Sequence, residues 1–153
     1  MNRKVAIVMG SKSDEEIMKN AGETLKEFGI EYEQFIISAH RNPEKTAEFS
    51  KSARDKGFFA IIAGAGYAAH LAGVIASHTT LPILAVPLDS SPLKGVDSLY
   101  AMVMMPSGIP VAVFTVGKAG AKNAAIFAIE MLAVNDEGIA LKLKEMRDGW
   151  NKN

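Results

Sequence analysis

Five apolar runs of strand length recur along the chain, and between them lie polar or glycine-bearing turns and stretches of helical periodicity. Val5-Ala6-Ile7-Val8-Met9 is apolar at every position, the pattern of a strand buried on both faces of a parallel sheet. Residues 32–37, 58–63, 82–86 and 110–116 are the other four runs. After the first run, Ser13 followed by Glu16 fits a helix N-cap with a capping box, and Ile17, Ala21, Leu25 and Phe28 recur at helical spacing up to Gly29. Asn42 is placed to cap the second helix with Pro43 at its first position, and that helix carries Ala47, Phe49 and Ala53 and ends near Gly57. The glycine-rich stretch from Gly64 to His70 is expected to open a small-residue helix reaching about Ser77. A fourth helix is predicted from Val96 to about Met105, and an Ala-rich fifth from Gly117 to about Leu132. A polar amphipathic tail helix over about 136–150 is the one part expected outside the core.

Strands alternating with helices imply a parallel sheet covered on both sides, with right-handed crossovers. Five strands favour a three-layer α/β/α, flavodoxin-like parallel five-stranded sheet, order 2-1-3-4-5, with a C-terminal tail helix, as a single domain over 1–153. In that order the first three strands are neighbours. Their following turns, Gly10 to Asp14, Ser38 to Arg41 and Gly64 to His70, meet at one edge, where ligands bind in such sheets.

Composition narrows the partners. The chain has 17 basic and 17 acidic residues and no basic block, which argues against nucleic acid. It has no cysteine, so disulfides, thiol catalysis and cysteine-held metals are excluded. No signal-peptide pattern stands at the N-terminus, and no apolar stretch approaches the roughly 20 residues that span a bilayer. A cytoplasmic protein without membrane contact is the expectation.

The converging turns carry the chemistry. His40 can move protons near neutral pH. Arg41 can hold a phosphate with two parallel hydrogen bonds. Two Ser hydroxyls and backbone amides at helix N-termini can surround the phosphate with it, and the Asp14 carboxylate can accept two ribose hydroxyls. A small phosphorylated sugar-bearing ligand fits this set. Other readings are weaker. Gly64-Ala65-Gly66-Tyr67-Ala68-Ala69 matches the dinucleotide pattern G-x-G-x-x-A, with Asp89 at a suitable distance, but it follows the third strand rather than the first. His70 and His78, eight apart, diverge by about 80° round a helix, which is no metal spacing. His78 is expected at the surface. Neither a P-loop nor a G-x-S-x-G elbow occurs.

Met9-Gly10-Ser11-Lys12-Ser13-Asp14, Ser38-Ala39-His40-Arg41, Ala63-Gly64-Ala65-Gly66 with Ala68-Ala69-His70-Leu71, and Gly117-Lys118-Ala119-Gly120-Ala121 closely resemble the PurE family. So do Gly95-Val96-Asp97-Ser98-Leu99, Met105-Pro106 and Asn123-Ala124-Ala125. Arg after the His and Ala-Ala-His-Leu after the glycine turn are similar to its class I branch, which acts on N5-carboxyaminoimidazole ribonucleotide. The resemblance implies a mutase of de novo purine synthesis that needs no metal, ATP or organic cofactor. It implies His40 as the proton-transfer residue. Ser11, Asp14 and Arg41 match substrate-binding positions, and Ser38, Gly66 and His70 match further pocket positions. Ser13, Ala39, Ala69 and Leu71 lie in the same matched segments and are expected to bind substrate. It further implies a homo-octamer with sites at subunit contacts, in keeping with the all-apolar stretch Leu99 to Met105. Tyr67 departs from the family's usual Gly, and a positive φ there would strain it. Glu15, Met104 and Ser107 depart as well. A carboxylase using free carbon dioxide and a non-catalytic nucleotide-binding module stand as alternatives.

Overall fold

The computed structural model describes residues 3–150. Its elements run β1 (Lys4–Met9), a 3-10 turn (Lys12–Asp14), α1 (Glu15–Glu27), β2 (Tyr32–Ile36), α2 (Pro43–Ser52), β3 (Phe58–Ala65) and α3 (Leu71–His78). They continue with β4 (Ile83–Pro87), α4 (Val96–Val103), β5 (Ala112–Val113), α5 (Lys118–Ala133) and α6 (Glu137–Trp150). The strands form one parallel sheet in the order β2-β1-β3-β4-β5, as the strand–helix alternation predicts.

Alternation along the strands divides the core in two. Val5, Ile7 and Met9 face one side, where α1, α5 and α6 pack, while Ala6 and Val8 face the other with residues of α2, α3 and α4. This is the period-2 pleat of a sheet covered on both faces. At the exposed edge, β2 keeps only Tyr32 and Phe35 half-buried, and Phe35 packs against Phe49 of α2 with ring centroids 4.8 Å apart.

Several local expectations are corrected. The capping box at the first turn is Ser11 with Asp14, not Ser13 with Glu16. A 3-10 turn intervenes, so Glu16 lies inside α1 and pairs with Lys19 at 2.7 Å instead. Asn42 stands at the N-cap of α2 with Pro43 following, but its side chain makes no capping bond. Gly64 and Ala65 belong to β3 rather than to a turn or helix start, and α3 begins only at Leu71. A Cβ on Gly64 would lie 2.3 Å from Met18 Sδ, so this glycine lets α1 pack tightly onto the sheet. The fifth strand pairs over two residues, not seven: it is an edge strand with one neighbour, and Pro110 has no N–H for the ladder. The tail helix docks on α5, burying Ile139 and Leu143 in the main core, because two apolar positions one turn apart form a stripe within its polar sequence.

Candidate active site

The turns after β1, β2 and β3 open on one cavity of ≈ 520 Å³, a volume suited to a small ligand. Gly10, Ser11, Ser13 and Asp14 line it from the first turn, Ser38, Ala39, His40 and Arg41 from the second. Gly66, Tyr67, Ala68 and His70 line it from the third, flanked by Ala65 at the end of β3 and Leu71 at the start of α3. The parallel sheet makes this happen: neighbouring strands running the same way deliver their C-terminal turns to the same rim.

The first turn is braced by its own side chains. Ser11 Oγ accepts from Ser13 Oγ at 3.0 Å and more weakly from Ser13 N at 3.4 Å. Asp14 Oδ2 accepts from Ser11 N at 3.0 Å. Asp14 is 7% exposed. Burial pushes its carboxyl up from the ordinary 3.8, and the bonds from Ser11 N and from Ser13 only partly offset that. Hydroxyl donors of a ligand would stabilise the ionised form here.

The second turn holds a cation. Ser38 Oγ accepts from Arg41 N at 3.2 Å and from Arg41 Nε at 3.5 Å. Among the described residues no acceptor meets the two terminal guanidinium nitrogens, so the forked end remains for an anion. His40 Nε2 and His70 Nδ1 stand 2.9 Å apart, joining the second turn to the third.

The third turn holds the departure noted in the sequence. Tyr67 has φ 55, in the left-handed region that favours glycine, and the residue lines the cavity while 58% exposed. Ser90, after β4, is a lining residue that the sequence reading missed. A Cβ on Gly66 would lie 2.0 Å from Ser90 Oγ, so Gly66 makes room for that hydroxyl. The signal for Ser90 was its place in a turn at the same sheet edge. Ala69 does not line the cavity; its side chain is buried in the core. His78 ends α3, away from the cavity. Among the described residues no group of three or more His, Asp or Glu side chains is placed to hold a metal ion.

Comparison with known proteins places this architecture. The family model for AIR carboxylase matches residues 4–153. The chain belongs to the AIR carboxylase family. It is 50% identical over 144 residues to the N5-carboxyaminoimidazole ribonucleotide mutase of Vibrio vulnificus, covering 94% of this chain and 89% of that one. The Bacillus subtilis and Escherichia coli mutases are each 49% identical over 144 residues, with 94% of this chain covered and 89% and 85% of theirs. The crystal structure of Treponema denticola PurE superposes with a TM-score of 0.86 at 30% identity, over 97% of this chain and 92% of that one. The family membership and the fold agree with the resemblance in the turn motifs.

Proposed function

We propose that this chain is an N5-carboxyaminoimidazole ribonucleotide mutase, which moves a carboxylate from the exocyclic nitrogen to ring carbon 4. The observation that carries the reading is one cavity holding a proton-transfer imidazole, His40, beside an anion-binding guanidinium, Arg41, and a donor-seeking carboxylate, Asp14. Relatives near half identity that bear the mutase name support the same substrate.

In this reading Arg41, Ser11, Ser13 and neighbouring helix-terminal amides hold the ribose phosphate. Asp14 accepts the ribose hydroxyls. Ser38, Ala39, Gly66, His70 and Leu71 shape the rest of the pocket, and Ala69 contributes backbone only. The carbamate C–N bond breaks and releases carbon dioxide inside the cavity, while His40 protonates the departing nitrogen. Carbon 4 then adds to the carbon dioxide, and His40 takes the proton that carbon 4 loses. Protons balance over the cycle, as general acid and base act in turn through one group. Confinement makes the recapture intramolecular.

Assembly as a homo-octamer belongs to the same reading. Leu93, Val96, Tyr100, Val103 and Met104 are exposed apolar side chains on α4 and its flanks, a patch suited to a second copy of the chain. We also place the protein in the cytoplasm as one domain; among the described residues no helix is long and apolar enough to cross a membrane.

The test is an assay with each substrate. Conversion of N5-carboxyaminoimidazole ribonucleotide without added bicarbonate supports the mutase. Product formed only from aminoimidazole ribonucleotide and bicarbonate would make the chain a carboxylase. Ribonucleotide binding with no turnover would leave a non-catalytic module.

A further inference from the structure

One contact in the cavity has no role in the scheme above. His40 Nε2 and His70 Nδ1 are at hydrogen-bond distance, 2.9 Å, with ring planes at 81°. The residues are 30 apart in sequence, and each backbone is held on its own account. Asn42 N donates to Ser38 O at 2.8 Å, closing the turn that carries His40. His70 N donates to Ala68 O at 2.8 Å, and His70 O accepts from Val74 N at 2.9 Å. His70 sits at the N-cap of α3, yet its ring makes no capping bond. The ring engages the other imidazole instead.

Two facing ring nitrogens share one proton. With a proton on each, two N–H groups would collide; with none, two lone pairs would face each other. A histidine's second nitrogen is set by the bond its first one makes. We propose that His70 is a positioning residue for His40. Its neutral Nδ1 accepts the Nε2–H of His40 throughout, which leaves His40 Nδ1 as the nitrogen that exchanges protons with substrate. The inference rests on the mutase reading. In the first step the imidazolium of His40 gives its Nδ1 proton to the departing nitrogen and becomes neutral, still protonated at Nε2. In the second step the bare Nδ1 takes the proton from carbon 4. His70 stays neutral at both stages and stabilises the imidazolium as a hydrogen-bond acceptor.

The other ionisable side chains lining the cavity are Asp14, Arg41 and Tyr67. Asp14 is bonded to Ser11 and Arg41 to Ser38; among the described residues none of the three is bonded to either imidazole.

The experiment compares His70→Phe and His70→Asn with the parent, in kinetics and in long-range proton–nitrogen spectra of the ring nitrogens. The chain has only three histidines, and His78, outside the cavity, serves as an internal control. In the parent, neutral His40 should carry its proton on Nε2. His70→Phe, which has no acceptor, should mix the tautomers of His40 and leave His78 unchanged. It should lower kcat by about tenfold to a hundredfold, with KM changed by less than about threefold. The alkaline fall in kcat should move to lower pH, because the imidazolium has lost its acceptor. His70→Asn, which keeps an acceptor near the place of Nδ1, should restore much of the loss. A neutral His40 protonated at Nδ1 in the parent, or a His70→Phe protein with parental kcat and pH profile, would overturn the proposal. A parent with the Nε2–H tautomer but no turnover of N5-carboxyaminoimidazole ribonucleotide would sustain the pairing and remove the mutase reading.

Discussion

The proposed mechanism gives single side chains in this cavity separable jobs, and substitutions test each one. His40→Asn should abolish turnover and leave ribonucleotide affinity within about tenfold, roughly 1.4 kcal/mol. Arg41→Ala should do the reverse and raise the ligand's dissociation constant well beyond that, as titration calorimetry would record. Asp14 makes a prediction about pH. Its carboxyl holds a proton to higher pH when folded than when unfolded, because burial outweighs its two hydrogen bonds. The folded state therefore binds more protons in the window above 3.8, so the Asp14 contribution to stability falls as pH rises through that window. Asp14→Asn should be more stable than the parent at neutral pH, with the gap in denaturant midpoint closing as pH falls toward 3.8. The same substitution should weaken ribonucleotide binding. Tyr67 shows a similar tension between stability and use. Its positive φ costs about 1–2 kcal/mol, part of which a glycine would return as unfolded-state entropy. Tyr67→Gly should raise the unfolding midpoint slightly and weaken ribonucleotide binding roughly fivefold, about 1 kcal/mol, through loss of an aromatic wall.

At the scale of elements, the strands buried on both faces were the most legible part of the chain. Continuous apolar runs such as Val5 to Met9 have no stable alternative to full burial, and the observed β1 departs by one residue. Boundaries set by side chains were harder to read. Ser13 with Glu16 has the spacing of a capping box, but Ser11 also precedes an acidic residue by three positions, and the 3-10 turn forms the box there. Gly64 looked like turn chemistry because glycine permits turns, yet here it serves the approach of a helix to a strand. Gly64→Ala should crowd the fully buried Met18 and destabilise the protein by about 1–3 kcal/mol, measurable as a lower denaturant midpoint with unchanged slope. Since Gly64 lies beside the third turn, kcat should fall as well.

The whole molecule explains why the rim is built as it is. Every strand points the same way, so one edge of the sheet collects the turns after β1, β2, β3 and β4. The apolar patch on α4 is a property of the same scale. Met104 is 82% exposed and Tyr100 65%, more apolar surface on a short segment than a lone domain ordinarily shows. If the proposed octamer forms through this patch, Tyr100→Asp should yield smaller species than the parent in sedimentation velocity, with an unchanged far-ultraviolet circular dichroism spectrum. The amino-acid sequence by itself determined the order of strands and helices, the edge where the turns gather, and the residue types available there. It could do so because burial periodicity and turn chemistry are local properties of the chain. Only the tertiary structure decided that His40 meets His70, that Ser90 joins the rim beside Gly66, that β5 pairs over two residues and that the tail helix docks. Those outcomes depend on the relative placement of segments tens of residues apart, which packing of the two faces of the sheet sets and no local pattern encodes.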